Sequence, residues 1–246
     1  MNTKDAVLHF NDVSFGYPGY PPDILSGLTA SLYSGEIVCV IGPSGCGKST
    51  MLNLAGGFLK PSVGTLSDGR GEVNSPAPER IMVFQDSDQL FPWLTVAANA
   101  AFPDAPEKRV SQLLSMLGLS DAAELYPAQL SGGMKQRAVI ARALAGSPEI
   151  LLLDEPFTAL DAPTRRGLQD TLLDLNAEFE VSMLFVTHDI REAVYLADRI
   201  MVMTSEGVDM LDIELERGAG MRDEFSDEFV AIEREIYARI ILQSTP

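Results

Sequence analysis

The stretch Ile37-Val38-Cys39-Val40-Ile41, followed by Gly42-Pro43-Ser44-Gly45-Cys46-Gly47-Lys48-Ser49-Thr50, constrains the fold more than any other part of the chain. An apolar, β-branched run feeds a glycine-rich turn, and a helical pattern opens at Lys48. Strand, glycine turn and Lys-Ser at a helix start are the context of a phosphate-binding loop. Gly42, Gly45 and Gly47 let successive backbone N–H groups point into one concavity. The positive end of the following helix adds to that field. Lys48 offers a mobile cation to β- and γ-phosphates. Ser49 offers a hydroxyl to Mg²⁺, which takes oxygen ligands. The expected ligand is a nucleoside triphosphate.

The chain has 246 residues, room for one large domain or one with an inserted sub-domain. A net charge of −17 argues against nucleic acid and against direct adhesion to anionic lipid. Cys39 and Cys46 have no metal-ligand spacing partner and read as plain small residues. No apolar run reaches the length of a membrane span, and the N-terminus lacks the apolar stretch of a signal peptide. The expectation is a soluble, intracellular protein that serves a membrane only through a partner.

Residues 6–10 and Leu25–Tyr33 alternate as strands and suggest an antiparallel β-layer leaning on a parallel core. The helix after the phosphate loop is expected to run to Leu59, ended by Lys60 and Pro61. Arg80–Phe84 reads as a short buried strand with Gln85 at its end. From Leu94 to about Leu130 strand signals vanish. Val110, Leu113, Leu114 and Leu117 fall at helix spacing before a stop at Gly118, so a small helical sub-domain is expected. Ser131-Gly132-Gly133 opens a long helix through Leu144. Ile150–Leu153 and Met183–Val186 are apolar runs of buried strands, each followed by a helix. Arg199–Thr204 and Val208–Ile213 read as late strands. Residues Asp223–Leu242 read as an acidic amphipathic helix, its charge run as a solvated face.

Asp154 ends the Leu151–Leu153 run, which places it at the carboxyl edge of the sheet beside the phosphate loop, where Mg²⁺ must be held. Glu155, one residue on, can take a proton from water lined up with the γ-phosphate. Ser131-Gly132-Gly133 at a helix start is a second anion-binding nest, or plainly an N-cap with turn glycines. Leu130-Ser131-Gly132-Gly133-Met134-Lys135-Gln136, between the phosphate loop and Asp154-Glu155, resembles the signature of the ATP-binding-cassette (ABC) family. The resemblance spans roughly Val7 to Met203.

That resemblance implies an α/β fold of the P-loop NTPase class: a mixed central sheet, an antiparallel β-layer and a helical sub-domain. It divides one domain into a nucleotide-binding core with the β-layer (1–85), the helical sub-domain with the signature (86–145), the rest of the core (146–215) and a C-terminal helical tail (216–246). Gly42, Pro43, Ser44, Gly45, Cys46, Gly47, Lys48, Ser49 and Thr50 would wrap ATP, with Tyr17 on the adenine. A strand-end core tyrosine is the competing reading of Tyr17. Two cassettes would stack head to tail, so that Ser131, Gly132, Gly133 and Gln136 meet the nucleotide of the partner subunit. Ala159-Leu160-Asp161 would cross the dimer interface at Asp161. Ser49, Gln85 and Asp154 would serve Mg²⁺. Catalysis would fall to Glu155, His188, Lys48 and Gln85.

Pro76-Ala77-Pro78-Glu79-Arg80 before Gln85, and Pro92-Trp93-Leu94 after it, look like the nitrate/sulfonate/taurine importer subfamily. This implies a transmembrane permease dimer, an extracytoplasmic solute-binding protein and a peripheral place on the cytoplasmic face of the membrane; the intact Glu155, Ser131 and His188 favour a homodimer of cassettes over a heterodimer. Trp93 would lie near the groove that receives the permease, or simply pack the sub-domain. An exporter cassette and a non-transport cassette are the competing readings. Two departures stand out: a short connection at 101–107, and a tail lacking the basic residues often seen there.

Overall fold

The computed structural model describes residues 5–19, 23–85, 88–102, 104–158, 160–204, 207–212 and 222–242. Two sheets form its frame. The first is antiparallel, in the order β2 (Leu25–Tyr33), β1 (Ala6–Phe15), β4 (Val63–Asp68), β5 (Gly71–Glu72). The second is six-stranded: β10 (Gly207–Asp212), β9 (Arg199–Thr204), β3 (Ile37–Ile41), β8 (Ser182–Val186), β7 (Ile150–Asp154), β6 (Arg80–Val83). Its strands are parallel from β9 through β6, and β10 joins antiparallel at the edge. This is the expected mixed sheet with an antiparallel layer. Ile213, placed in the last strand from the sequence, lies outside the described residues.

Continuous apolar runs make the central strands because both sides of the sheet are covered. On β3, Ile37, Cys39 and Ile41 belong to the core on one face, while Val38 and Val40 belong to the other. On β7, Leu151 and Leu153 face one way and Ile150 and Leu152 the other. The first core also holds the helices α2 (Val96–Ala101), α3 (Glu107–Met116), α4 (Gly132–Ala145), α5 (Ala162–Phe179) and α6 (Ile190–Leu196). The second packs α1 (Lys48–Ala55) and the antiparallel sheet. The helix α7 (Asp227–Leu242) docks through Phe229 and Ile236, both fully buried.

Three expectations need correction. The helix α1 stops at Ala55, four residues before Leu59. Gly57 sits at φ 76, where a side chain would meet the Ser75 carbonyl 2.3 Å from its Cβ, so the chain turns there. The strand β4 was not foreseen. Within it only Leu66 is buried, and it is a strand because β1 pairs with it, Phe10 opposite Leu66. The tail helix begins at Asp227, not Asp223, and although Asp223, Asp227 and Glu228 are exposed as expected, Glu224 is not simply solvated. Glu224 pairs with Arg166 and with Arg191, while Arg222 is buried and donates to the carbonyls of Val194, Tyr195 and Ala197. Among the described residues no helix is long and apolar enough to cross a membrane.

Candidate functional site

The strand register gathers the site. Val40 lies level with Val186, and Val186 with Asp154, so β3, β8 and β7 end at one edge. Val83 lies level with Leu153, which brings the end of β6 to the same edge. The residues that leave those ends are the phosphate loop, Thr187-His188, Asp154-Glu155 and Gln85. Open α/β sheets bind ligands at such carboxyl ends.

The loop is closely fitted. Gly47 caps α1 at φ 102, and a side chain there would put a Cβ 2.7 Å from Leu25 Cδ2 and 3.0 Å from the Ile24 carbonyl. At Gly42 it would fall 2.1 Å from the Met203 carbonyl. Lys48 Nζ donates to the carbonyls of Gly42 at 2.8 Å and Pro43 at 2.9 Å, so the ammonium is folded onto the loop itself. Tyr17 stands at the edge of this loop, 43% exposed, with its hydroxyl 3.4 Å from Thr50 Oγ1 and its ring edge-on to Phe15. An exposed ring beside the loop suits stacking better than core packing. Burial pushes the Cys46 thiol up from its ordinary range, with Lys48 pulling the other way.

Next to the loop, Ser49 Oγ donates to Asp154 Oδ1 at 3.3 Å. Burial raises the Asp154 carboxyl, the Ser49 hydrogen bond lowers it, and the neighbouring Glu155 charge raises it again. A hydroxyl and a carboxylate form a hard oxygen donor set, suited to a magnesium ion that completes its shell from water and phosphates. Among the described residues no three His, Cys, Asp or Glu converge as a metal cage, and magnesium held with a nucleotide needs none.

Glu155 has a non-glycine backbone in the left-handed region, φ 43. Its N–H donates to the Val186 carbonyl at 3.0 Å, tying it to β8. Three side chains meet its Oε2: His188 Nδ1 at 3.0 Å, Thr158 Oγ1 at 3.2 Å and Gln85 Nε2 at 3.5 Å. Gln85, Glu155 and His188 were expected from the sequence. Thr158 was passed over, although its spacing, three residues after Glu155 on the same turn, was the available signal.

Ser131 and the two glycines open α4. Ser131 caps α4, its Oγ accepting from Met134 N at 3.3 Å. Ser131 and Gly132 are exposed, whereas a Cβ on Gly133 would sit 2.8 Å from Thr164 Cγ2. The turn therefore abuts the start of α5, where Asp161 is the N-cap residue. Hydrogen bonding to Thr164 holds the Asp161 carboxyl below its usual value. Ala159 lies outside the described residues. Gln136 is 3% exposed and its Nε2 has no hydrogen-bond partner among the described residues. It lies behind the exposed turn, not in it.

Away from the sheet edge, Phe91, Trp93 and Phe102 form an aromatic cluster. Ring centroids are 5.5 Å apart for Phe91–Trp93 and 4.5 Å for Phe91–Phe102. Trp93 is 70% and Phe102 60% exposed. Beside them opens a cavity of 330 Å³ lined by Met82, Gln89, Phe91, Phe102, Val139 and Arg142, among others.

A parallel sheet with a glycine phosphate loop, a Ser–Asp pair and a restrained carboxylate at one edge defines a nucleotide-hydrolysing P-loop ATPase. The comparisons narrow the class. The chain belongs to the ABC transporter family, whose model matches residues 25–158, and it is an ABC ATPase. It is 44% identical to a putative ATP-binding protein of Brucella abortus, over 96% of this chain and 94% of that one. It is 44% identical to the aliphatic sulfonates import ATP-binding protein SsuB of Bacillus licheniformis, over 81% and 80% of the two chains. It is 46% identical to the bicarbonate transport ATP-binding protein CmpD of Synechococcus elongatus, over 82% and 76%. Among solved structures it is similar to the dimer of MJ0796, a bacterial ABC transporter cassette. There the TM-score is 0.74 and the identity 32%, over 84% of this chain and 99% of that one.

Proposed function

We propose that the chain is the energy-coupling subunit of an importer for a small solute such as nitrate, a sulfonate, taurine or bicarbonate. The observation that carries the hydrolytic part is the meeting of Gln85, Thr158 and His188 on one oxygen of Glu155, beside the Ser49–Asp154 pair. Glu155 is the general base: it takes the proton of the water that attacks the γ-phosphorus. Lys48 leaves its loop carbonyls for the β- and γ-phosphates, and His188 donates to the γ-phosphoryl oxygens as charge moves onto the leaving phosphate. Gln85 orients the water. Tyr17 stacks on the adenine. Ser49 and Asp154, with Gln85 in reach, would hold a magnesium ion that neutralises phosphate charge.

Ser131 and Gly132 are exposed, with Gly133 buried behind them against α5, which supports a role of the turn toward the nucleotide of a second copy. Asp161, against the same turn, would cross that interface. The cassette pair would be a homodimer, peripheral on the cytoplasmic face of the membrane. The aromatic cluster at Trp93 would seat the permease dimer, and an extracytoplasmic binding protein would choose the solute.

Glu155→Gln tests the hydrolytic reading. With ATP and Mg²⁺ the variant should bind nucleotide, stop turning over and run as a dimer in light scattering, and EDTA should return it to monomer. An undiminished hydrolysis rate would overturn the assignment of Glu155.

A further inference from the structure

We propose that Thr158 is a positioning residue that fixes which oxygen of Glu155 receives the proton; the proposal rests on Glu155 being the general base. Every side-chain donor that reaches this carboxylate meets Oε2, and among the described residues none meets Oε1. Oε2 is thus the held atom and Oε1 the atom turned to the attacking water. Of the three donors, Gln85 is at the long limit of 3.5 Å, and the His188 ring is 63% exposed and free to engage phosphate. Thr158 alone is fixed to Glu155 by its own backbone turn. Its N–H reaches the Glu155 carbonyl at 3.3 Å, and its hydroxyl lies 3.1 Å from that carbonyl as well as 3.2 Å from Oε2.

The same turn holds Glu155 at φ 43. A left-handed non-glycine backbone of this kind persists only where its surroundings restrain it. A β-branched residue at position 158 has few rotamers to lose, so the hydroxyl is aimed before substrate arrives. When His188 turns toward the γ-phosphate, Thr158 is the donor that stays. Thr158 is also three residues before Asp161, so a shift of the segment leading to α5 moves the hydroxyl and the carboxylate together.

The test is ATP hydrolysis by the full chain with Thr158→Val, Thr158→Ser and Glu155→Gln. Thr158→Val keeps the branched shape and removes the hydroxyl. It should lower kcat about tenfold while KM for ATP stays within about twofold, since misaimed groups cost rate and not binding. Thr158→Ser should recover most of the rate. Thr158 is exposed, so neither variant should shift the thermal midpoint, a readout that a merely structural role would move. Added to Glu155→Gln, Thr158→Val should cost nothing further, because the two act as one unit. Full kcat in Thr158→Val with an inactive Glu155→Gln would overturn the positioning role and leave the general base standing. Full activity in Glu155→Gln would overturn the base itself.

Discussion

The ATP edge of the sheet and the aromatic face around Trp93 are built in opposite ways. At the edge, polar groups are held by one another: Lys48 by its loop, Ser49 by Asp154, Glu155 by three side chains. Little there waits for a protein partner within the same chain. At the aromatic face, Trp93 and Phe102 expose large apolar surface that a lone subunit has no reason to show. The first region is braced from within its own chain, and the second is an open surface. A chain that carries both does chemistry in one place to move something in another.

That contrast can be broken from either side. The largest effect belongs to Lys48→Ala. It should cut hydrolysis by about 10² to 10³, the scale of losing one preorganised charge, and weaken fluorescent-nucleotide binding. Gly47→Ala comes next. It forces φ 102 on a residue with a Cβ that collides with Leu25, so a loss of about 1–3 kcal/mol should appear in denaturant melts along with lost ATP binding. Trp93→Ala should do the reverse of both. Stability should stay within about 0.5 kcal/mol and basal hydrolysis unchanged, while recovery of the permease fails.

The smallest effect is a pH slope. Glu192 is buried, and that burial raises its carboxyl above the ordinary 4.5 against hydrogen bonds from Thr187 and Gln169. The folded chain then keeps a proton that the unfolded chain has released. The group favours folding below pH 4.5, and that contribution is lost as pH rises through the raised value. Glu192→Gln keeps an acceptor for Gln169 and removes the titration. Its melting midpoint should fall less than the native one as pH rises from 4.5 to neutrality and end above it.

The edge was legible in the sequence because each part is local. An apolar run predicts a buried strand, and the residues leaving it must sit at the sheet edge, so Asp154, Glu155 and His188 were placed before any contact was seen. What was not legible depends on partners distant in sequence. The strand β4 carries one buried residue and exists through its pairing with β1. Glu224 read as part of a solvated run because Arg166 and Arg191 lie tens of residues away. Gln136 was read only as part of the signature, and its burial follows from how α4 packs. Thr158 was near enough to be read from its spacing to Glu155, but which oxygen its hydroxyl meets shows only once the carboxylate is placed.

The central claim is that hydrolysis at the sheet edge drives a permease seated on the aromatic face. Affinity purification of the tagged chain from gently solubilised membranes tests it most directly. The account predicts recovery of a multi-span permease, with ATPase activity raised by a solute-loaded binding protein. Recovery of cytosolic or nucleic-acid partners alone, with no membrane protein, would contradict it and leave the ATP site intact.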